Sequence, residues 1–327
     1  MVEDLTAILG ILILILSASI AILAVSRVNH VKILRKEATE YPPPGNMIEV
    51  NGKKLHVYAE GHADTTLVFM AGHGTSNPTL DFKPLWTRMR DRYRVAVIER
   101  SGYGWSEPSH NSRDIDTILD ETRSALELSG ERGPYVLVPH SMSGLEAIRW
   151  VQKYPQEVKA IIGLDPCVPQ TIDLIAKPRK MQMTLMYLVS RIGLSRFMPE
   201  SEVGTNLPLM KSDELSGEDK DQYLAVFYRS AFTRDMLREI DHLRDNAKRV
   251  ADNEVPIATP MYFFISDAQE ASAAGWKEAL SDYLSNIAIG RYMQLATGHY
   301  VHYDKAGIIA EEAKAFLEEI SLHKISK

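Results

Sequence analysis

Residues 137–144, Leu-Val-Pro-His-Ser-Met-Ser-Gly, contain a serine in a setting that suits a nucleophile. An apolar, β-rich run precedes this serine, and a helical pattern follows it over residues 142–154. Where a strand turns abruptly into a helix at a serine, the hydroxyl stands clear of the sheet and the following backbone N–H groups face a developing negative charge. The spacing therefore makes Ser141 a candidate for nucleophilic attack on a carbonyl carbon.

The residues that flank Ser141 differ from the glycines that are usual at such a turn. Pro139 and Ser143 occupy the two glycine positions of the Gly-x-Ser-x-Gly pattern. Small residues are needed there because the strand and the helix approach closely, and serine is small. Proline lacks a backbone N–H, which a strand tolerates near its end. The alternative interpretation is a strand-to-helix turn that contains a serine with no catalytic role.

Other segments of the chain resemble motifs of the α/β-hydrolase family. Residues 66–75 resemble its third strand and His-Gly loop, although Ala71 stands where the family usually has histidine. Residues 93–106 resemble its fourth strand and the Asp-x-x-Gly-x-Gly-x-Ser loop, with Glu99 in place of the aspartate. The resemblance covers roughly residues 45–320 and is to the cap-bearing branch that includes esterases and lipases.

Two later segments resemble the parts of the family that carry its other catalytic residues. Residues 260–267 resemble the strand that ends on the triad acid, and residues 296–300 resemble the loop that carries the triad histidine. The resemblance therefore implies a triad in the chain order serine, acid, histidine. In that triad His299 would take the proton of Ser141, and Asp267 would orient and stabilise the imidazole.

Each of these assignments has an alternative in the sequence. His302 lies three residues after His299 and could be the base, although Gly298 favours His299. Asp165 also follows a predicted strand and is the alternative acid. Parallel strands end at one edge of a sheet, so both carboxylates could reach that edge.

The oxyanion hole is expected to consist of the backbone N–H groups of His73 and Met142. The proposed chemistry needs no metal or cofactor. The sequence also has no zinc-type spacing, no Walker loop and no Gly-x-Gly-x-x-Gly pattern. Cys167, the only cysteine, is expected to be an inert, partly buried thiol.

Alternating strand and helix patterns predict an α/β fold, with a mostly parallel sheet flanked by helices. Asn51-Gly52 predicts a type I′ hairpin turn. Residues 168–255 have a helical pattern without a convincing strand, which predicts a cap, and the heavily charged helix over 233–251 is expected to present a solvated face. The predicted units are a membrane anchor with a basic flank (1–36), a proline-rich spacer (37–46), a hydrolase core (47–167 and 256–327) and the helical cap (168–255).

Residues 5–26 contain no charged residue or histidine. As a helix these residues span about 33 Å, which matches the hydrocarbon core of a bilayer. A cleaved signal peptide is disfavoured because the residues before this stretch are acidic rather than basic. The basic residues lie after it, so the positive-inside rule predicts a single-pass anchor with the catalytic domain in the cytoplasm. These basic residues are Arg27, Lys32, Arg35 and Lys36.

These features together predict a membrane-anchored serine hydrolase that cleaves a lipid-derived or other apolar carboxylic ester through an acyl-enzyme on Ser141. The remaining alternatives are a peptidase, thioesterase or acyltransferase of the same fold, or a non-catalytic ligand-binding protein. Haloalkane dehalogenase and epoxide hydrolase activities are disfavoured because family members with these activities carry a carboxylate at the serine position. The net charge of −6 gives no support for nucleic-acid binding. The oligomeric state is not predicted.

Overall fold

The computed structural model describes residues 2–176, 179–199, 202–204, 207–253, 255–268 and 273–325. Eight strands within these residues form one sheet: β1 (Asn46–Val50), β2 (Lys53–Glu60), β3 (Thr66–Met70), β4 (Arg94–Ile98), β5 (Tyr135–Pro139), β6 (Val158–Leu164), β7 (Met261–Ser266) and β8 (Gly290–Leu295). Their order is β1-β2-β4-β3-β5-β6-β7-β8, and β3 to β8 run parallel. The carboxyl ends of six strands therefore meet at one edge.

The antiparallel start of the sheet is the predicted hairpin. Strands β1 and β2 are joined by Asn51 and Gly52, whose φ angles are 52° and 75°. A type I′ turn requires positive φ at both central residues, and asparagine and glycine adopt this conformation most readily. The hairpin signal in the sequence therefore identified both the turn and its type.

Helices cover both faces of the sheet. The helices with described bounds are α1 (Val2–Glu40), α2 (Pro78–Asp81), α3 (Lys83–Met89), α4 (Ile115–Leu128), α5 (Ser143–Lys153), α6 (Lys180–Ile192), α7 (Gly217–Ser230), α8 (Arg234–Ala251), α9 (Trp276–Ser285), α10 (Val301–Asp304) and α11 (Ala306–Ile325). Side chains alternate along a strand, so neighbours in β3 enter different cores. Val68 packs in the core with α4, α5 and α9, whereas Phe69 packs in the core with α3 and α11.

The insertion between β6 and β7 is helical over its described residues. It contains α6, α7, α8 and short 3-10 turns, among them Leu194–Phe197. Two contacts of α7 join it to the segment after β3. The Ser230 hydroxyl donates to the carbonyl of Ser76 at 2.7 Å, and the Tyr223 hydroxyl donates to the buried carboxylate of Asp81. The insertion therefore packs on loops at the carboxyl edge of the sheet, where a cap is expected.

Helix α1 has an exposed apolar half, which includes Leu5, Leu14 and Val25. By length and composition this helix could cross a membrane, a property that signal sequences share. Its other half continues to Glu40, four residues into the segment predicted to be a spacer. A contact with the cap stabilises this extension of the helix. The Arg196 guanidinium donates two hydrogen bonds to the carboxylate of Glu37, at 2.8 and 2.6 Å.

Candidate active site

Ser141 lies on a sharp turn between β5 and α5. Its φ angle is 53°, a left-handed conformation that few non-glycine residues adopt. Pro139 is the last residue of β5, so its missing N–H falls at the strand end, as expected. The Ser143 hydroxyl donates to the carbonyls of Met70 and His140, at 2.7 and 2.8 Å. The residue in the second glycine position is therefore small and also hydrogen-bonded to the neighbouring strand.

The turn is closely packed against the segment that follows β6. A side chain at Gly144 would place its Cβ 2.3 Å from the carbonyl oxygen of Cys167. The N–H of Cys167 in turn donates to the carbonyl of Ser141 at 2.7 Å. Burial raises the pKa of the Cys167 thiol to about 12. The thiol is therefore protonated at neutral pH, which agrees with the expected inert role.

The structure brings Ser141 and His299 together. The Nε2 atom of His299 lies 2.9 Å from the hydroxyl oxygen of Ser141, within reach for proton transfer. His299 lies on the loop between β8 and α10, and its side chain is 25% exposed. The hydroxyl and the imidazole are therefore both accessible from outside the sheet.

The carboxylate that contacts His299 belongs to Asp165. Its Oδ2 atom lies 2.7 Å from Nδ1 of His299, and the side chain is completely buried. The backbone N–H and the hydroxyl of Ser266 donate to this carboxylate, at 3.1 and 2.6 Å, and the indole N–H of Trp276 donates at 3.0 Å. These donors hold the carboxylate in place without a bulk water shell.

The sequence-based choice of Asp267 as this acid is therefore wrong in the structure, and the alternative, Asp165, takes the position. Ser266 is the last residue of β7 and points inward to Asp165. Asp267 lies one residue beyond the end of β7, where the chain becomes helical. Asp267 is exposed, and its carboxylate accepts from the backbone N–H of Thr297 at 3.0 Å.

His302 and His140 are buried behind the site. His302 packs against Phe82 and His140, with ring centroids 4.8 and 4.9 Å apart, and burial lowers its pKa to about 3. Burial, together with the neighbouring His299, also lowers the pKa of His140. The Nε2 atom of His140 lies 3.2 Å from the carbonyl oxygen of His299, so it donates to that loop. Both rings therefore have packing roles.

The predicted oxyanion-hole groups lie on two segments that meet at Ser141. Neither the N–H of His73 nor that of Met142 donates to another described residue. Met142 precedes the first turn of α5, where the helix dipole favours negative charge. A Cβ at Gly72 would lie 2.9 Å from the Cβ of Ser141, so the loop with His73 lies against the nucleophile. This geometry suits an oxyanion hole formed by the two N–H groups, and the assignment remains a prediction.

A buried ionic cluster supports the loop that carries His73. The guanidinium of Arg100 donates to the carbonyls of Ala71 and Gly72, at 3.0 and 3.2 Å, and lies 3.7 Å from the carboxylate of Glu239. Burial raises the pKa of Glu239, but Arg100, His73 and Tyr103 together outweigh this effect and the pKa falls to about 2. Glu239 belongs to cap helix α8, so the cap contributes directly to the support of this loop.

The sequence analysis missed this role of α8. Asp235 and Glu239 are buried, so the helix is not simply the solvated face that its charge predicted. The available signal was their spacing of four residues, which places both acids on one side of the helix. Trp276 and Ser266 were also missed, because neither residue type indicates by itself that it holds a catalytic carboxylate.

The arrangement has the parts that acyl transfer needs. His299 can remove the Ser141 proton as the hydroxyl attacks and can return it to the leaving group. Asp165 can hold the imidazole in the tautomer that leaves Nε2 free to accept. Among the described residues, no group of three or more His, Cys, Asp or Glu side chains is arranged to hold a metal ion.

Comparisons with known proteins agree on the fold. The sequence model of the family described as serine aminopeptidase, S33, matches residues 63–287. The chain is 37% identical over 263 residues to the uncharacterized protein YbdG of Bacillus subtilis, which covers 79% of this chain and 80% of that protein. Relatedness therefore extends over most of both sequences.

Solved structures resemble the chain over the same region. An esterase from Exiguobacterium antarcticum is 16% identical and superposes with a TM-score of 0.63, covering 84% of this chain and 99% of that chain. The epoxide hydrolase VrEH1 of Vigna radiata is 20% identical, with a TM-score of 0.62 and coverage of 84% and 97%. At these identities the similarity establishes the fold, and it confirms the fold class predicted from the sequence.

Proposed function

Because the chain belongs to the α/β-hydrolase family described as serine aminopeptidase, S33, we propose that it is a membrane-anchored serine hydrolase of carboxylic esters. The supporting observation is the hydrogen-bonded series Ser141–His299–Asp165, with distances of 2.9 and 2.7 Å. Attack by Ser141 would form an acyl-enzyme and release the alcohol, and water would then release the acid. His299 would serve as the base in both steps.

The residue on the turn limits the chemistry. Ser141 is an alcohol, which suits an acyl-enzyme and does not suit the carboxylate-based chemistry of dehalogenases and epoxide hydrolases. Apolar esters are the favoured substrates because α1 would hold the site beside a bilayer, where such molecules concentrate. A peptidase is the second candidate, because the family description names an aminopeptidase. Matched nitrophenyl esters and aminoacyl nitroanilides would separate the two activities by their kcat/KM ratio.

The serine assignment predicts covalent labelling by a fluorophosphonate probe. The wild-type chain should be labelled, and Ser141→Ala should not, because the probe phosphonylates a serine that has an adjacent base. Gel fluorescence measures the label. Ser285→Ala is the matched control, since Ser285 is exposed on α9 and its hydroxyl donates only to its own helix, at Asp282. An unlabelled but folded wild-type chain would favour a non-catalytic ligand-binding protein.

The anchor assignment predicts the location of the domain. With the basic flank of α1 on the cytoplasmic side, protease added to intact cells should leave the domain undigested. The same protease should degrade it after the cells are permeabilised. Immunoblotting against the carboxyl-terminal half measures both results. Digestion in intact cells would place the domain outside and reverse the proposed topology.

A further inference from the structure

Cap helix α6 carries an exposed apolar stripe. Met181, Leu185 and Leu188 are 86%, 60% and 47% exposed. Residues spaced by four and then three positions lie on one side of a helix, so these side chains form a row about 10 Å long. Single exposed apolar residues are common, but an aligned row on one helix indicates a surface that something covers.

The end of α6 lies where the apolar stretch of α1 ends. The Ser26 hydroxyl donates to the carbonyl of Ile192 at 3.0 Å, and the Arg27 guanidinium donates to the carbonyl of Arg191 at 2.8 Å. Ile192 is the last residue of α6, and Leu188 precedes it by about 6 Å along the axis. The end of the stripe at Leu188 therefore lies near Ser26 and Arg27, where the apolar stretch of α1 is followed by charged residues.

Further contacts fix the two helices against each other. A Cβ at Gly193 would lie 2.5 Å from the Cβ of the buried His30, so the chain after α6 rests directly on α1. Nε of Arg196 donates to Nδ1 of His30 at 3.0 Å, in addition to the two hydrogen bonds between Arg196 and Glu37. Contacts at positions 26, 30 and 37 extend over three turns of α1. The position of α6 relative to α1 is therefore well defined.

The charges around the stripe suit a lipid surface. Helix α6 contains no acidic residue, and Arg179 and Lys180 are exposed where it begins. Lys180 also pairs with Asp241 of α8, whereas Arg27 extends the basic region onto α1. An apolar face with basic residues at its ends is typical of helices that lie on anionic bilayers.

We propose that the stripe formed by Met181, Leu185 and Leu188 lies in the interfacial layer of the bilayer that α1 spans. The cap is then a second membrane contact. This inference rests on the anchoring role of α1 in the proposed function. A second copy of the chain is a weaker occupant, because three side chains offer less than the ~800 Å² per partner that a standard protein interface buries. A bilayer spanned by α1, in contrast, would lie close to the stripe, because α1 is hydrogen-bonded to the end of α6.

Site-specific fluorescence of the full-length chain in vesicles tests the proposal. Leu185→Cys would carry a nitrobenzoxadiazole label in vesicles of phosphatidylcholine and phosphatidylglycerol that contain doxyl-labelled lipid. The native Cys167 is buried and should leave the unsubstituted chain unlabelled. Leu128→Cys is the matched aqueous control, since Leu128 is 63% exposed on α4. Leu14→Cys, in the apolar half of α1, is the control within the bilayer.

The labels at positions 185 and 14 should both be quenched by the doxyl lipid, at least threefold more than the label at 128. Quenching at 14 with a water-exposed label at 185 would overturn the membrane contact of the cap and leave the anchor intact. A blue-shifted label at 185 without lipid quenching would show that a second copy covers the stripe, which also overturns the proposal. No quenching at 14 would contradict the anchor itself and the inference with it.

Discussion

His299→Ala is expected to lower kcat for a nitrophenyl ester by about a millionfold, which is the scale of losing the base of a serine hydrolase. The reason is geometric, because Nε2 of His299 lies 2.9 Å from the hydroxyl oxygen that it must deprotonate. Without this imidazole, Ser141 remains an alcohol with its ordinary weak nucleophilicity. Stopped assays with a high enzyme concentration would measure the residual rate.

His302→Ala is the matched control for this prediction. His302 is buried against Phe82 and His140, so its removal should lower the melting temperature through lost packing. Because its ring does not contact Ser141, kcat should stay close to that of the wild-type chain. Loss of kcat in His302→Ala together with a retained kcat in His299→Ala would assign the base to residue 302.

Asp165→Asn is expected to lower kcat by about ten-thousandfold, as in other triads whose acid becomes an amide. The amide oxygen can still accept from the N–H groups of Ser266 and Trp276, which both donate to Oδ1. The amide nitrogen then replaces Oδ2 opposite Nδ1 of His299 and donates to it. Nδ1 must therefore be unprotonated, and the ring carries its proton on Nε2, which faces Ser141. The variant should therefore fold but carry the wrong tautomer.

Asp267→Asn is the control that separates the two candidate acids. Its carboxylate is exposed and accepts from the backbone N–H of Thr297, an interaction that the amide oxygen can keep. We expect kcat/KM and the rate of fluorophosphonate labelling to stay near wild type. If instead Asp267→Asn lost activity and Asp165→Asn kept it, the hydrogen bond between Asp165 and His299 would have no catalytic role.

The sheet could be predicted in detail because its strands have strong local patterns. Strands β3 and β7 lie within the segments that resemble family strands, residues 66–75 and 260–267, and the Asn51-Gly52 turn is of the predicted type. Ser141 could be located for the same reason, since a strand, a turn and a helix follow one another within twenty residues. Local sequence therefore determined most of the scaffold.

The acid could not be chosen from the sequence because two strands end on aspartate at the same edge. Asp165 has a φ angle of 47°, and its carboxylate is turned toward His299 and the hydroxyl of Ser266. That choice depends on the local turn after β6 and on the side of β7 that Ser266 faces. Neither property can be derived from residue types alone.

Burial of the acids on α8 depended on partners that are distant in sequence. The Oε2 atom of Glu239 accepts from the hydroxyl of Tyr103 at 2.6 Å and lies 3.7 Å from the guanidinium of Arg100. A charged helix with no known partner is correctly expected to face water. The prediction failed because the core supplies Arg100 beside Glu239, next to the loop that carries His73, and Arg113 beside Asp235.

The attachment of α1 has a consequence for the position of the cap. Arg196 and His30 join α1 to the cap, and Pro42, Pro43 and Pro44 lie between Tyr41 and the first strand. In a chain held in a bilayer by α1, side-chain contacts would therefore attach the cap to the anchor directly. The sheet would be attached through the proline segment and through its hydrogen bonds with the cap.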